Sequence, residues 1–261
     1  MISITDAQLN TWIVLLVWPL ARILALIATA PITSSQQFPI TAKIGLAVLL
    51  TTLVAPTLPA PSAVDPGSLP GLLLLAREIL LGVGMGLAMR VVFAGINMAG
   101  DIIGLQMGLG FAQLYDAQAG AQVPVIGQFL GLLASLVFLS LNGHLMLIAA
   151  LVDSFHHVPV ENTKTLAEGC MAFAQWGGMI FQAAVLLSLP LTAALLVTNS
   201  ALAVLSRAAP QLNVFAIGFP ITILVGFIVL MVTLPFWVPA LQRLFEAGLQ
   251  SMTGIAGGIS P

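Results

Sequence analysis

Six long apolar stretches, separated by polar segments, divide the chain. They cover roughly residues 11 to 32, 40 to 60, 69 to 99, 125 to 152, 171 to 206 and 214 to 242. Each reaches or approaches the ~20 residues that a helix needs to cross about 30 Å of hydrocarbon. A membrane β-barrel would instead show alternating segments of about ten residues. The pattern therefore predicts an all-α protein.

Prolines and polar segments modify this simple pattern. Pro190, Pro220 and Pro235 lie inside the last two stretches, where a proline would kink or interrupt a helix. Three connecting segments are longer than a tight turn: the proline-rich residues 56 to 71, the small and polar residues 114 to 124, and the water-like residues 153 to 169. We expect bent helices joined mostly by short loops.

The composition places the chain in a membrane. Of its 261 residues, 59% are hydrophobic and only 6% are charged, and the mean hydropathy is +1.11. Soluble domains carry about 25% charged residues. A net charge of -2 gives no reason to expect a nucleic-acid partner. The first charge is Asp6 and no cation precedes the first apolar stretch, so we interpret residues 1 to 30 as retained rather than as a signal peptide.

The third stretch carries more charge and glycine than lipid favours. Arg77, Glu78, Arg90 and Asp101 lie in or just beyond it, and an ionised side chain at the bilayer centre costs about 3 kcal/mol or more. Glycines recur there at the four-residue spacing that lets helices approach closely, at Gly82, Gly86, Gly100, Gly104 and Gly108. Either these helices pack within one bundle, or they form interfaces and ion pairs with other subunits. Nearby methionines are interpreted as core filler: Met85, Met89, Met98 and Met107.

Candidate chemistry is weak throughout. Gly100-Asp101 and Tyr115-Asp116 resemble aspartyl protease motifs only superficially, because Met98 replaces the first glycine and the aspartates come in the wrong order. No His-Glu-x-x-His motif is present, and the adjacent His156 and His157 would point in different directions on a helix. We predict no catalytic residue, metal site or cofactor.

A compact polar segment interrupts the uncharged C-terminal sequence. Arg207, Pro210, Gln211 and Asn213 lie within seven residues between two apolar runs. Pro210 would break a helix, and the two amides can satisfy exposed helix ends. The segment is predicted to be the turn of a helical hairpin. Its arginine favours the cytoplasmic side, as do Lys43 and Arg90, although three other cations disagree: Arg77, Lys164 and Arg243.

Several ordered segments together resemble the FliR family, the flagellar biosynthetic membrane proteins of type III export. The family signature is similar to "RAAPQLNVFAIGFP", residues 207 to 220. Its first hairpin resembles "WPLARILALIATAPI", residues 18 to 32, and its central glycine-rich segment resembles "AGDIIGLQMGLGFAQLYD", residues 99 to 116. A further match is "VFLSLNGHLMLI", residues 137 to 148.

The resemblance implies a membrane-associated bundle of bent, proline-kinked helical hairpins. Residues 1–168 would form a part resembling the partner FliP, and residues 169–261 a hairpin resembling FliQ. Such a chain joins copies of FliP and FliQ in the export gate of the flagellar basal body, in the bacterial inner membrane. FlhB and FlhA are the further partners implied, and exported flagellar proteins pass through the channel.

The resemblance also implies roles for particular residues. The segment matching Gly104 to Val125 resembles a plug that closes the resting channel, with candidate plug residues Gln106, Met107, Phe111, Leu114, Tyr115 and Asp116. Ala117 departs from the proline that the family often has, so the backbone of that loop is expected to differ. The turn at Arg207, Pro210, Gln211 and Asn213 would face FlhB. Ion pairs between subunits would use Arg22, Arg77, Glu78, Arg90 and Asp101.

Two alternative functions remain open at this point. One is the virulence injectisome version of the same gate, which shares the fold. The other is a secondary transporter, whose broken helices and mid-membrane charges would line a solute site. A transporter predicts internal repeats, whereas residues 1 to 130 and 131 to 261 differ in charge and glycine content. The gate component is therefore favoured.

Overall fold

The computed structural model describes residues 6–35, 37–58, 64–110, 125–159, 166–211 and 214–257, and all regular structure in them is helical. This confirms the all-α prediction. The described α-helices are α1 (Asp6–Thr29), α2 (Ile40–Val54), α3 (Leu69–Gln106), α4 (Val125–Ser140), α5 (Gly143–His157), α6 (Leu166–Trp176), α7 (Met179–Ala208) and α8 (Val214–Gly257). A 3-10 turn, Ala55–Thr57, continues α2.

Four helical segments of the described residues are long and apolar enough to cross a membrane: Ile40–Thr57, Leu69–Gln106, Gly169–Ala208 and Ile217–Ile255. Helices α4 and α5 reach that length only as a broken pair, which would make a fifth span. The apolar part of α1, Leu15–Thr29, is shorter. These lengths are those of an integral membrane protein.

The helices differ in detail from the predicted stretches. The stretch 125 to 152 is broken at Asn142, which adopts the left-handed conformation with φ 57°. Part of the predicted water-like loop forms α6. Helices α7 and α8 continue through Pro190, Pro220 and Pro235 without ending. Neighbouring chain or side-chain hydroxyls can satisfy carbonyls freed by proline in such helices.

The chain forms two compact units, each built from segments distant in sequence. The first contains Met1–Val91, Asn142–Gly177 and Phe245–Pro261, and the second contains Val92–Leu141 and Gly178–Leu244. The predicted division at residue 168 is based on likeness to partner proteins and not on compactness. It stays a prediction.

In the first unit, α1 packs directly on α3. A β-carbon on Gly82 would overlap the Arg22 carbonyl oxygen, and one on Gly86 would overlap the Thr29 hydroxyl. The four-residue glycine spacing therefore does bring these two backbones together, as predicted. Trp176 adds a link from α6, because its Nε1 donates a hydrogen bond of 2.9 Å to the Ala88 carbonyl.

In the second unit, α3 packs on α4 and α7. A β-carbon on Gly100 would lie 2.5 Å from the Gly127 Cα, and one on Gly95 would lie 2.9 Å from the Ala183 Cβ. Phe93 and Phe138 meet edge to face, with ring centroids 5.8 Å apart. Of the methionines interpreted as core filler, three are fully buried: Met85, Met89 and Met107.

Candidate functional site

A fully buried ion pair joins α1 to α3. Both side chains are 0% exposed, and the Arg22 guanidinium donates from Nε to Glu78 Oε2 at 2.7 Å and from Nη2 to Oε1 at 3.0 Å. This two-pronged geometry matches the fork of an arginine to the two oxygens of a carboxylate. Burying two charges is costly unless each is fully hydrogen-bonded. The surroundings of Arg22 meet that condition.

Helix α5 completes the coordination of Arg22. Its Nη1 donates to the Ser154 hydroxyl at 3.1 Å, and its Nη2 also donates to the Val158 carbonyl at 3.1 Å. The guanidinium carbon lies 4.2 Å from the centroid of the Phe155 ring, a cation–π contact. Arg22 thus ties together α1, α3 and the C-terminal end of α5.

The pairing of Arg22 and Glu78 with other subunits stays a prediction, and the structure shows a partner for each within the chain. The two side chains pair with each other, and both are 0% exposed. Arg77 is a second cation near the same carboxylate, with its Nη1 3.9 Å from Glu78 Oε1. Sequence analysis missed Ser154, Phe155 and Val158, because nothing in their local pattern shows which charge they face.

The remaining charged residues of α3 lie in different surroundings. Arg90 is exposed, whereas Asp101 is partly buried where α3 crosses α4. A β-carbon on Gly127 would overlap Asp101 Oδ1, so the carboxylate rests on the glycine surface of α4. Within the described residues this buried oxygen has no hydrogen-bond partner. Pairing of Arg77, Arg90 and Asp101 across subunits stays a prediction.

The end of α3 leads into the predicted plug. Gln106 is exposed, but Met107 is fully buried against α8, where a β-carbon on Gly226 would lie 2.6 Å from Met107 Cγ. Gly108 follows with φ +82°. The other candidate plug residues lie outside the described residues: Phe111, Leu114, Tyr115 and Asp116.

The stripe of small residues on α8 that includes Thr222 and Gly226, both in contact with Met107, could have been found from spacing. Gly218, Thr222 and Gly226 repeat every four residues and are all buried. Stripes of small residues at this spacing are typical of close helix packing in membranes. Sequence analysis applied the rule only to the third stretch and missed these three.

The predicted hairpin turn lies between α7 and α8. Helix α7 ends at Ala208, two residues before Pro210, as expected because proline disfavours helix in the residue before it. Arg207 occupies the last helical turn, where a cation is favourable at the negative end of the helix dipole. Arg207, Pro210 and Gln211 are exposed, and Asn213 lies outside the described residues.

Helices α7 and α8 expose many large apolar side chains. Met231 is 79% exposed and Phe236 is 72% exposed. Others more than half exposed include Phe181, Leu189, Leu196, Val197, Val204, Leu224 and Val232. An uncovered apolar surface of this size requires lipid or another protein.

The part of the chain that the structure describes offers no evident metal site. No group of three or more His, Cys, Asp or Glu side chains could hold a metal ion there. His156 and His157 are exposed at the end of α5, and His157 Nδ1 lies 3.0 Å from the Asp153 carbonyl oxygen. The geometry described here is that of packing and interaction surfaces.

Comparison with known proteins gives one consistent result. Residues 13–248 match the protein family described as bacterial export proteins, family 1. The chain is 42% identical to the flagellar biosynthetic protein FliR of Escherichia coli strain K12 over 246 residues, which cover 94% of each chain. The same identity and coverage are found with FliR of Pectobacterium carotovorum.

A more distant relative extends the same match. FliR of Bacillus subtilis strain 168 is 31% identical over 237 residues, covering 90% of this chain and 91% of that protein. The similarity therefore runs through both compact units and is not confined to one motif.

Proposed function

The chain belongs to the FliR family of bacterial export proteins, and we propose that it assembles with FliP and FliQ into the gate that exports flagellar subunits. As a member of this family it is a structural component of the flagellar export apparatus and not an enzyme. Its relatives are flagellar proteins, which favours the flagellar gate over the injectisome version.

The observation that carries the assembly proposal is the uncovered apolar surface of α7 and α8. Only 17% of the most apolar window of α8 is buried within the chain. The fully buried Arg22 of α1 and Glu78 of α3, in contrast, are paired inside the chain. A chain that pairs these two charges itself and leaves apolar faces of two long helices uncovered is suited to pack beside other membrane subunits.

The proposal includes a placement for the rest of the chain. Residues 1–168 would pack as a FliP-like part and residues 169–261 as a FliQ-like hairpin, in the inner membrane within the basal body. The exposed turn at Arg207, Pro210 and Gln211 would face FlhB on the cytoplasmic side, with FlhA nearby. Arg207 supports this orientation, because cations favour cytoplasmic loops.

The channel plug is the second part of the proposal. The segment after α3 would close the resting channel with the bulky residues Phe111, Leu114 and Tyr115. Deleting residues 111–120 should then let small ions leak across the membrane when no protein is being exported. Unchanged leakage in that deletion strain, with the protein present at normal levels, would show that the segment is not a plug.

Co-purification tests the assembly directly. The tagged chain, expressed together with FliP and FliQ, should purify as a complex containing all three, and should aggregate when expressed alone. A secondary transporter would instead be stable alone or as a small homo-oligomer. A monodisperse, long-lived isolated chain that recovers neither partner would contradict the proposal.

A further inference from the structure

The last residues of α3 make an unusual contact with α8. Met107 is 0% exposed and fills the groove left by Gly226, where an added β-carbon would lie 2.6, 2.8 and 2.9 Å from Met107 Cγ, Cε and Sδ. The Thr222 hydroxyl, which lies 3.3 Å from the Met107 carbonyl oxygen, can donate a hydrogen bond to it. Two positions of α8, one helical turn apart, therefore hold Met107: Gly226 contacts its side chain and Thr222 contacts its backbone.

Gly108 then turns the chain out of the helix. Its amide donates to the Leu105 carbonyl at 3.0 Å, and its φ of +82° is the left-handed conformation that ends many helices. The Phe219 ring lies on this turn, so a β-carbon on Gly108 would be 2.7 Å from Phe219 Cε1. Both the backbone angle and the available space admit only glycine here.

These contacts hold the end of α3 in one position on α8. Withdrawing Met107 would empty the groove over Gly226 and break the Thr222 contact at once. Gly104, one turn earlier on α3, differs: a β-carbon there would make ordinary contacts of 3.7 and 3.8 Å with Ile126. The crowding at Gly108 is therefore absent one turn earlier, at Gly104.

We propose that Met107, Gly108, Phe219, Thr222 and Gly226 form a fixed anchor that aims the plug. The anchor keeps the end of α3 on α8 and sets the direction of the chain that follows. It confines any opening movement to residues beyond Gly108. This inference rests on the proposed plug function of the following segment, and it assigns Met107 to positioning rather than to filling the channel.

Ion leakage in the resting state tests whether the anchor positions the plug. Gly226→Ala and Gly108→Ala should each raise leakage towards that of the 111–120 deletion. Met107→Ala combined with Gly226→Ala should leak less than Gly226→Ala alone, because the shorter side chain makes room for the new β-carbon. Gly104→Ala is the matched control and should not leak. The amount of protein in the membrane, measured for every variant, separates leakage from loss of the chain.

A reversible cross-link tests whether the anchor stays fixed during export. Met107→Cys and Gly226→Cys, in a Cys170→Ser background, place two β-carbons within the roughly 4 Å that a disulfide spans. The disulfide should form readily, and export should continue equally with the bond oxidised or reduced. Failure of the bond to form, or export that stops on oxidation and returns on reduction, would overturn the anchor.

The outcomes distinguish a failure of the anchor proposal from a failure of the plug proposal. If the 111–120 deletion leaks but the glycine variants, present at normal levels, do not, the anchor is wrong and the plug stands. If the deletion itself does not leak, the plug is wrong. If the glycine variants fail to accumulate, the cross-link result alone decides for or against the anchor.

Discussion

Helices α3 and α8 are both long and apolar, yet they use their surfaces in opposite ways. Helix α3 has 38 residues and α8 has 44. In the most apolar window of α3, 61% of the residues are buried within the chain, against 17% in that of α8. Helix α3 packs mainly against other helices of this chain, whereas much of the apolar surface of α8 is available to lipid or to other subunits.

The difference shows which kinds of residue each environment tolerates. Helix α3 carries glycines against neighbouring backbones and a buried glutamate that Arg22 satisfies within the chain. Helix α8 exposes many large apolar side chains, such as Met231 and Phe236, and buries a stripe of small residues at Gly218, Thr222 and Gly226. Damage to α3 should therefore unfold the chain, and damage to the outer face of α8 should spare the chain and weaken assembly.

The largest expected effect comes from breaking the Arg22–Glu78 pair. Glu78→Ala leaves a buried guanidinium without its carboxylate, and removing one partner of a buried pair costs about 3–5 kcal/mol of unfolding free energy. The folded chain should become sensitive to protease and disappear from membranes, as followed by pulse-chase and limited proteolysis.

Two further variants make that test specific. Asp153→Asn removes an exposed acidic charge beside Ser154 and should leave stability unchanged. Replacing both partners, Arg22→Met with Glu78→Met, should restore part of the lost stability, because apolar side chains carry no desolvation penalty. A double variant less stable than Glu78→Ala would contradict this explanation.

The same phenylalanine-to-alanine substitution can be compared at one buried and one exposed position. Phe138→Ala removes the edge-to-face contact with Phe93 in the second unit and should cost about 3–5 kcal/mol. Phe236→Ala, at a position 72% exposed on α8, should change the chain's own stability by about 0.5 kcal/mol or less. Thermal unfolding in detergent measures both, and equal losses would remove the distinction between the helices.

Apolar runs predicted the helices well but not their ends. Residues 243 to 257 were not predicted as helix because Arg243 and Glu246 interrupt the apolar run. In the structure they belong to α8, where the buried residues recur every three or four positions: Leu241, Leu244, Phe245, Leu249, Met252 and Ile255. A search for helical periodicity would have found this amphipathic segment. The break at Asn142 carries a local signal, because the dipeptide Asn142-Gly143 is typical of turns, although apolar residues continue on both sides.

The candidate sites show a similar limit of sequence reasoning. Composition and insertion cost indicate that Arg22 and Glu78 need partners, but the pairing of residues 56 positions apart depends on how α1 and α3 pack. The glycine spacing at Gly82 and Gly86 predicted close packing on α3 but not that α1 is the helix that packs there. Burial of Met107 required knowledge of which small residues of α8 lie opposite.

A smaller loss of stability is expected from closing the gap between α1 and α3. Gly82→Ala places a β-carbon on the Arg22 backbone, and overpacking of this kind costs about 1–3 kcal/mol. Gly45→Ala is the matched control, because no atom lies within 4 Å of a β-carbon there. The control should be neutral or stabilising by up to about 1 kcal/mol through helix propensity. Thermal unfolding of the two variants side by side gives the difference.

The smallest expected effect concerns the turn between α7 and α8. Arg207→Gln removes a favourable charge from the last turn of α7, which is worth about 0.3–1 kcal/mol at an exposed position. The chain should remain folded and assemble normally with FliP and FliQ, while less FlhB is recovered with the complex. Unchanged FlhB recovery would remove the proposed role of Arg207 in that contact.

Site-specific photo-cross-linking from Met231 tests most directly whether other subunits cover α8. This residue is 79% exposed on α8, and a photoreactive amino acid placed there reports what lies against it in the membrane. With FliP and FliQ co-expressed, the account predicts cross-linked products containing one of these two proteins. A fully assembled complex that gives only lipid adducts from this position would contradict it.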